Sequence, residues 1–306
     1  MTQNIKIIGP ENIVNGKLLA EQIIASANDS ITKILQTDAE NNAIQKLPHL
    51  AILLIGNDPA SELYVKTKSA RAKELGIETS LYKFPSDTKQ SEILFLIDVL
   101  NDDENINGIM IQLPLPKNFG TDEILNRVAK IKDVDGTADN SDFYPATSLA
   151  IMETLHTITQ ELGIKIAGKI ATVIGASKDV GQPTQKLLTD EKVISTMVDK
   201  SWAQKDIIAL CQKSDIVITA TGNKFLVEKN WIKNGAIVID VGITRIGTTE
   251  TGKAILRGDA DIENIKTIAS AITPVVGGIG PVTISMLMKN VITAYQNQNK
   301  KLKQEK

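Results

Sequence analysis

The chain has 306 residues, enough for two domains of ordinary size. Its hydrophobic content of 42%, charged content of 23% and net charge of -2 are typical of a soluble globular protein and give no reason to expect a nucleic-acid partner. The single cysteine, Cys211, excludes an internal disulfide and fits a reducing compartment. The opening segment lacks the apolar core of a signal peptide, and no apolar run reaches membrane-spanning length, so we expect a cytoplasmic protein without a membrane partner.

Apolar runs rich in Ile, Val and Leu alternate with helical patterns along the first half of the chain. The spacing predicts strand 50–56, helix 59–76, strand 77–84, helix 91–101, strand 106–116 and helix 121–130. Such alternation is typical of parallel strands joined by crossover helices.

A second series of elements begins after the irregular segment 135–148. It predicts helix 148–163, strand 169–175, helix 181–191, strands 192–198, 215–222 and 235–242, and the final helix 282–296. The polar tail 296–306 reads as a frayed helix end.

The sequence therefore predicts an α/β protein of two domains, with the boundary near residue 145. The last helix is expected to pack back on the first domain, so that domain comprises 1–146 plus 283–306. The second domain, 147–282, is expected to be Rossmann-like, with a cleft between the two.

The helix that begins at Asp58 and Pro59 carries a tyrosine and a lysine four positions apart. Asp is a favoured N-cap and Pro a favoured first helical residue. Tyr64 belongs to a stripe at helical spacing that we predict to face inward, with Lys68 at its edge. On spacing alone this pair is a snorkelling lysine beside a core tyrosine. The stripe consists of Ala60, Leu63, Tyr64, Thr67 and Arg71.

Two further polar residues follow predicted strands of the same half. Gln112 lies in "IQLPLP" (111–116) and Asp135 in "KDVDG" (132–136). Ligands of open α/β sheets bind beyond the carboxyl ends of the strands. We therefore expect Tyr64, Lys68, Gln112 and Asp135 to share one rim and to form a site.

The second half contains a strand, a glycine turn and a helix start in "IATVIGASKDVGQP" (170–183). Gly175 permits a tight turn, Gly181 permits close approach at the helix, and backbone N–H groups there can hold a phosphate. Ser177 can add a hydroxyl bond to the phosphate. The pattern lacks one glycine of the full dinucleotide fingerprint and is weak by itself.

These motifs together resemble the bifunctional methylenetetrahydrofolate dehydrogenase/methenyltetrahydrofolate cyclohydrolase family over nearly the whole chain. The tyrosine-to-lysine spacing, the glutamine before "LPLP" and the "GGIGPVT" loop carry the resemblance. The other segments in the family's order are "NGKLLAEQI", "KDVDG", "GASKDVGQP", "TATG" and "GAIVIDVGI".

The resemblance implies oxidation of 5,10-methylenetetrahydrofolate to 5,10-methenyltetrahydrofolate with NAD or NADP, then hydrolysis to 10-formyltetrahydrofolate. An ammonium group would repel the cationic intermediate and accept no proton, whereas burial favours a neutral amine that acts as acid and base. Gln112 is neutral, so it orients the amine without stabilising the ammonium form. The implied catalytic residues are Lys68, Tyr64 and Gln112.

The implied ligand contacts extend along the chain. Asp135 can accept two hydrogen bonds from the pterin ring, whereas Asp133 is the better candidate for a plain turn aspartate. The implied substrate-binding residues are Tyr64, Asp135, Pro274, Gly277 and Gly278. The implied cofactor-binding residues are Gly175, Ala176, Ser177, Gly181, Asp199, Thr221, Gly222 and Ile243.

The choice of nucleotide is where the sequence departs from many relatives, which carry arginine and serine where Ala176 and Asp199 stand here. A carboxylate at the end of the second strand accepts bonds from a ribose 2′-hydroxyl and repels a 2′-phosphate, so NAD is favoured. The alternative is an ordinary strand-end aspartate, with Lys178 or Lys200 contacting the 2′-phosphate of NADP.

The segment 137–148 is shorter than in relatives, which leaves open a dehydrogenase that has lost the cyclohydrolase step. A weakly active folate- or nucleotide-binding protein is the rival from another class. The resemblance also implies a homodimer formed through the dinucleotide-binding domain. His49 and His156 lack metal-ligand spacing, so no metal site is predicted.

Overall fold

The computed structural model describes residues 6–40, 46–223, 226–249 and 254–304. Part of the opening segment (1–5) and the end of the tail (305–306) lie outside the described residues. Through residue 145 the elements are α1 (Gly16–Glu40), β1 (His49–Ile55), α2 (Pro59–Glu74), β2 (Glu78–Phe84), α3 (Gln90–Asp102), β3 (Gly108–Ile111) and α4 (Thr121–Arg127). They continue with α5 (Ala146–Leu162), β4 (Ile170–Ile174), α6 (Gly181–Asp190), β5 (Ile194–Val198), α7 (Gln204–Cys211), β6 (Ile216–Thr219), β7 (Ile237–Asp240), β8 (Thr244–Thr248), β9 (Ala254–Arg257), α8 (Ile262–Ile265), β10 (Ala271–Ile272) and α9 (Ile279–Gln304).

The chain divides into two compact units. One comprises Gln22–Ala146 with Ile284–Lys306, and the other comprises Met1–Glu21 with Thr147–Thr283. We call them the 22–146 unit and the 147–283 unit. The division differs from the predicted domains mainly at the first 21 residues, which group with the 147–283 unit.

Backbone pairing explains why the opening residues belong to the 147–283 unit. Ile13 forms a parallel bridge with Ile272 of β10, and Val14 N donates to Ile272 O at 2.9 Å. The carboxylate of Glu161 on α5 accepts hydrogen bonds from the backbone N–H groups of Ile7 and Ile8. These long-range contacts have no periodic signal in the sequence.

The 22–146 unit contains a parallel sheet with strand order β2-β1-β3 within the described residues. β1 is central and is buried from Leu50 to Ile55, as its continuous apolar run predicts. Ile97 of α3 and Ile124 of α4 belong to the same core as Leu53 of β1. The predicted strand 106–116 ends early, at Ile111, because Pro114 has no N–H to give to a ladder.

Helix α2 begins as predicted but buries a different face. Asp58 caps it by accepting from Ser61 N at 2.8 Å, and Pro59 is its first residue. The predicted inward stripe is wrong, since Leu63 and Tyr64 are 65% and 42% exposed. Small side chains let this helix pack closely on its sheet, so its apolar face is less apparent in the sequence. The buried residues are Ser61, Val65 and Ala72.

The 147–283 unit contains a second parallel sheet, with order β10-β7-β6-β4-β5 within the described residues. Strand order reverses direction around β4, so β4 is followed by the turn at which doubly wound sheets bind nucleotides. Cys211 and Trp231 lie in the core of this unit. Burial raises the pKa of the Cys211 thiol to about 12, consistent with the predicted structural role.

Some elements were not predicted from the sequence. They include the long helix α1, the antiparallel hairpin β8–β9 and the short strand β10. The final helix also runs on to Gln304, through most of the tail predicted to fray. No helix within the described residues combines the length and apolar character needed to cross a bilayer.

Candidate active site

Lys68 and Gln112 come together in the 22–146 unit. Lys68 lies on α2 and is half-buried, and its nitrogen Nζ donates to Gln112 Oε1 at 3.2 Å. The same nitrogen lies 3.2 Å from Met110 Sδ. The amine therefore faces a neutral amide and a thioether, as the sequence predicts for the glutamine.

Hydrogen bonds of both the backbone and the side chain fix the orientation of Gln112. It follows β3 directly, and its backbone N–H donates to Leu53 O of β1 at 2.9 Å. Its side chain is 7% exposed, and Nε2 donates to Leu113 O at 2.6 Å. This bond directs the amide nitrogen towards Leu113 O and leaves the amide oxygen facing Lys68.

Tyr64 lies one helical turn before Lys68 on α2. Its ring is 42% exposed, and among the described residues its hydroxyl forms no hydrogen bond. It is therefore not a core tyrosine. Its ring and hydroxyl are both available to a ligand.

The two carboxylates of "KDVDG" have different surroundings. Asp133 is 2% exposed, and its Oδ2 accepts from Ala138 N at 2.9 Å, so it orders the following loop. Burial raises the pKa of Asp133 above its ordinary value. Asp135 is half-buried, and its carboxylate accepts no hydrogen bond within the described residues. Of the pair, Asp135 is the one free to bind a ligand.

The glycine turn after β4 closes tightly on the start of α6. Gly175 has a φ of 116° and donates its N–H to Val198 O of β5 at 2.9 Å. A Cβ on Gly181 would lie 1.9 Å from Gly175 O, so the turn has no room for a side chain there. Ser177 Oγ accepts from Val180 N at 3.2 Å and from Gly181 N at 3.4 Å. The Ser177 O–H remains able to donate to a phosphate. Ala176 lies between Gly175 and Ser177 in the turn.

Asp199 is exposed and directly follows β5, beside the strand that leads into the glycine turn. Its Oδ1 accepts from Ser201 Oγ at 2.6 Å and from Ser201 N at 2.9 Å. These hydrogen bonds hold the pKa of the carboxyl group below its ordinary value, so it is negatively charged at neutral pH.

The other cofactor candidates lie at the carboxyl ends of β6 and β7. Thr221 is half-buried, while Gly222 is exposed and its carbonyl accepts from Thr244 Oγ1 at 2.7 Å. Ile243 is 42% exposed. These three residues and the glycine turn all belong to the 147–283 unit.

Three residues predicted to bind the folate, Pro274, Gly277 and Gly278, also belong to the 147–283 unit. They form the loop between β10 and α9, and Gly277 has a φ of 84°. A Cβ on Gly278 would lie 2.1 Å from Pro274 O, so the loop folds tightly on itself. They are thus in a different unit from Tyr64, Lys68, Gln112 and Asp135.

Two buried carboxylates near Thr221 were missed in the sequence. Asp240 and Asp259 are 3% and 0% exposed, and Asp259 Oδ2 accepts from Thr221 N at 2.6 Å. Asp240 ends an apolar stretch two residues before Gly242, in "IVIDVG" (237–242), and Asp259 directly follows Gly258, in "LRGDAD" (256–261). A charged residue in such a setting is the signal that could have identified them.

Two family models match the chain in succession. The tetrahydrofolate dehydrogenase/cyclohydrolase catalytic domain matches residues 14–135, and the NAD(P)-binding domain of the same enzymes matches residues 145–299. The chain belongs to the tetrahydrofolate dehydrogenase/cyclohydrolase family.

Relatives support this membership over nearly full length. The bifunctional protein FolD of Bartonella henselae is 40% identical over 296 residues, which cover 92% of this chain and 95% of that protein. The bifunctional FolD structure from Campylobacter jejuni has a TM-score of 0.82 at 34% identity and covers 93% of this chain and 98% of its own. The Trypanosoma brucei FolD structure, a complex with NADP and an inhibitor, has a TM-score of 0.84 at 30% identity, covering 93% and 97%.

Membership of the tetrahydrofolate dehydrogenase/cyclohydrolase family confirms the predicted family and two-domain α/β fold class. It likewise confirms the enzyme class, a bifunctional methylenetetrahydrofolate dehydrogenase and methenyltetrahydrofolate cyclohydrolase. The second domain binds NAD(P). The tight glycine turn, the serine hydroxyl and the strand-end carboxylate are donors and acceptors that fit a dinucleotide.

Proposed function

We propose that Lys68 is the proton carrier in the hydrolysis of 5,10-methenyltetrahydrofolate to 10-formyltetrahydrofolate, which follows oxidation of the 5,10-methylene compound by the same chain. The hydrogen bond of 3.2 Å from Lys68 Nζ to Gln112 Oε1 carries this assignment. A neutral amide orients the amine without adding the negative charge that would stabilise its ammonium form.

Hydrolysis needs a group that takes a proton from water and returns it to the folate. The water oxygen bonds to the methenyl carbon while the Lys68 amine accepts the water proton. The bond from that carbon to N5 then breaks and N5 receives the proton from Lys68, while the hydroxyl group on the carbon loses its remaining proton to solvent as the formyl C=O forms. An ammonium group in the resting state would repel the cationic substrate and accept no proton. Gln112 holds the amine in place for both transfers.

Tyr64 and Asp135 are assigned to binding the folate. The exposed ring of Tyr64 offers a face for an aromatic ring of the folate and a hydroxyl for a hydrogen bond. The Asp135 carboxylate offers two acceptor oxygens to the adjacent N–H donors of the pterin. Pro274, Gly277 and Gly278 are assigned to contact the folate through their backbone, because their tight loop exposes main chain without bulky side chains.

The nicotinamide cofactor is assigned to the 147–283 unit. Gly175, Ala176, Ser177 and Gly181 would hold the phosphates at the start of α6. Residues in the loops after β6 and β7 would contact the nicotinamide end of the cofactor. When bound, the cofactor supplies the acceptor for the hydride removed from the bridging carbon. The loop residues are Thr221, Gly222 and Ile243.

We further propose that NAD is preferred to NADP. Asp199 is exposed, ionised and adjacent in the sheet to the glycine turn. Its second oxygen can accept from a ribose 2′-hydroxyl, and its charge repels a 2′-phosphate. The methyl group of Ala176 has no charge or hydrogen-bond donor to pair with that phosphate.

Replacement of Lys68 by Met tests the hydrolytic role. Met has a similar length but no amine, so the decay of methenyltetrahydrofolate should slow by about 100-fold or more. Binding of the nicotinamide cofactor should change by less than about twofold, because no cofactor candidate lies on α2. Both are measured on purified protein, by absorbance of the methenyl compound and by fluorescence titration with the reduced cofactor.

The matched control for the lysine is Lys66→Met, an exposed lysine on the same helix. It should leave both measurements unchanged. Methenyl decay in Lys68→Met at the wild-type rate would remove the lysine from the mechanism. Wild-type protein that forms methenyltetrahydrofolate but does not hydrolyse it would identify a dehydrogenase that has lost the second step.

The cofactor preference is tested by kcat/KM with each nucleotide. Wild-type protein should favour NAD, and Asp199→Ser should improve kcat/KM for NADP by about tenfold, because it removes one close charge repulsion. Asp206→Ser, an exposed carboxylate on α7, is the control and should change neither value. A strong NADP preference in the wild-type protein would overturn the proposal.

The domain bounds, the homodimer and the cytoplasmic location also stay proposals. The folate domain is 1–146 plus 283–306 and the dinucleotide domain is 147–282, with the first 21 residues as the point of difference from the compact units. The enzyme forms a homodimer through the dinucleotide-binding domain and acts in the cytoplasm. Size-exclusion chromatography with light scattering measures whether the enzyme is a dimer.

A further inference from the structure

Two carboxylates are buried where the central strands of the second sheet end. Asp240 is the last residue of β7 and is 3% exposed, and Asp259 follows β9 and is 0% exposed. Burial of a carboxylate is costly unless hydrogen bonds replace its water. Their bonding partners therefore show what the two side chains hold in place.

Asp259 is bonded to the turn that follows β6. Its Oδ2 accepts from Thr219 Oγ1 at 2.9 Å, from Thr221 N at 2.6 Å and from Thr221 Oγ1 at 3.0 Å. Three donors therefore converge on a single carboxylate oxygen. Both the backbone and the side chain of Thr221 are thereby fixed to one oxygen atom.

Asp240 holds Asp259 and the turn that follows β7. Its Oδ1 accepts from Gly242 N at 2.9 Å and from Asp259 N at 3.2 Å, and its Oδ2 accepts from Ala260 N at 3.0 Å. Its backbone N–H donates to Thr273 Oγ1, at 2.8 Å, just before Pro274. The pair thus connects the three loops that carry Thr221, Ile243 and Pro274.

The pair has no spare space around it. A Cβ on Gly242 would lie 2.0 Å from Asp259 Oδ1, and a Cβ on Gly258 would lie 1.9 Å from Asp240 Oδ2. Asp259 Oδ1 is buried and has no hydrogen-bond partner among the described residues. One oxygen of Asp259 therefore does all of its bonding, and that bonding is directed to Thr219 and Thr221.

We propose that Asp259, itself held by Asp240, is a positioning residue that fixes Thr221 in the geometry that binds the nicotinamide cofactor. The inference rests on the proposed placement of the cofactor at Thr221. Asp259 has no contact with the cofactor in this proposal and acts only through the turn after β6. Loss of Asp259 should weaken cofactor binding and leave the cofactor-independent hydrolysis intact.

The test compares Asp259→Ala, Asp259→Asn and wild-type protein in two measurements. The first is the Kd for the reduced cofactor, from fluorescence titration without folate. The second is the hydrolysis rate of methenyltetrahydrofolate supplied without cofactor, which reports whether the rest of the protein is intact. Asp259→Ala should raise the Kd about tenfold or more, as expected for the loss of several hydrogen bonds to a buried acceptor, with hydrolysis within about twofold of wild type.

Asp259→Asn keeps an oxygen acceptor for Thr221 and should recover most of the affinity, to within about threefold of wild type. The control is Asp261→Asn, whose side chain bonds Asn264 instead, and its Kd should be unchanged. If Asp259→Ala does not fold, Thr219→Val decides the matter. It removes one donor to Asp259 without altering Thr221, and should raise the Kd about threefold.

An unchanged Kd in folded Asp259→Ala, or in Thr219→Val when the former does not fold, overturns the inference. Equal losses of cofactor binding and hydrolysis also overturn it, since they indicate a general structural role. Failure of the wild-type protein to bind the reduced cofactor would instead refute the proposed function. The two failures are therefore distinguishable.

Discussion

At the scale of single residues, Asp133 and Asp135 show how surroundings divide the work of two identical side chains. Asp133 is 2% exposed and is bonded to the N–H of Ala138, so its carboxyl group belongs to the fold of the loop. Asp135, two residues on, is half-buried and keeps both oxygens free of bonds within the described residues. Only the second can recognise a ligand with paired donors.

Asp135→Asn tests this division. The substitution replaces one acceptor oxygen by an amide donor, which would face a donor of the pterin, so KM for methylenetetrahydrofolate should rise about tenfold or more. The melting temperature should not change, because the Asp135 side chain makes no hydrogen bond within the described residues. The matched substitution Asp133→Asn should alter the melting temperature and leave KM unchanged. Steady-state kinetics and thermal unfolding check both, and equal KM values for the two variants would contradict the assignment.

At the residue scale, a general rule of sheet geometry was more informative than helical spacing, and the roles of the site residues stay proposals. The rule that strand ends share a rim placed Lys68 with Gln112, which lie 3.2 Å apart. Helical spacing failed for Tyr64, because α2 buries small side chains that do not stand out as an apolar stripe. Asp240 and Asp259 were missed because their bonds to distant backbone follow no pattern along the chain.

At the scale of elements, the end of α3 shows a contact that only the folded chain reveals. Lys132 is 4% exposed, and its Nζ donates to the carbonyls of Leu100, Asn101 and Asp103 at 2.9, 2.7 and 2.8 Å. The last carbonyls of a helix lack partners within the helix, and a cation there also interacts favourably with the helix dipole. Burial lowers the pKa of Lys132, while the charge of Asp103 opposes that shift. Lys132 joins α3 to the loop that carries Asp135.

The elements missed in the sequence differ in how they could have been found. Helix α1 carries a regular apolar stripe of buried residues, so its periodicity was a signal that could have revealed it. Strands β8 and β9 are half-exposed, short and partly polar, and within the described residues they pair only with each other. Their sequence carries little signal for a strand. The buried residues of α1 are Leu19, Ala20, Ile23, Ile24, Ala27 and Ile31.

At the scale of the whole molecule, alternation of strands and helices was sufficient to predict the fold class. Parallel strands require crossover connections, so the order of elements along the chain restricts the possible architectures. The membership of the first 21 residues in the 147–283 unit was not predictable in this way. It depends on contacts between residues far apart in the sequence, among them the bridge between Ile13 and Ile272 and the bonds of Glu161 to the backbone of Ile7 and Ile8.

The buried acid pair also makes stability depend on pH. Burial, with a further contribution from the charge of Asp259, raises the pKa of Asp240 from 3.8 to about 7. Between these values the folded chain binds more protons than the unfolded chain, so the free energy of unfolding falls as the pH rises from about 4 to about 7 and is level above that. The melting temperature should therefore be lower at about pH 8 than at about pH 5.5.

The variant Asp259→Asn isolates the contribution of the pair to this pH dependence. Removing the neighbouring charge lowers the pKa of Asp240, and since burial is the larger cause, the fall in melting temperature between the two pH values should shrink without vanishing. Other titrating groups contribute equally to both proteins and cancel in the difference. Calorimetry of wild type and variant at the two pH values measures it. A fall as large in the variant as in the wild type would show that the two carboxylates do not interact, and the pair would then be two independent buried acids.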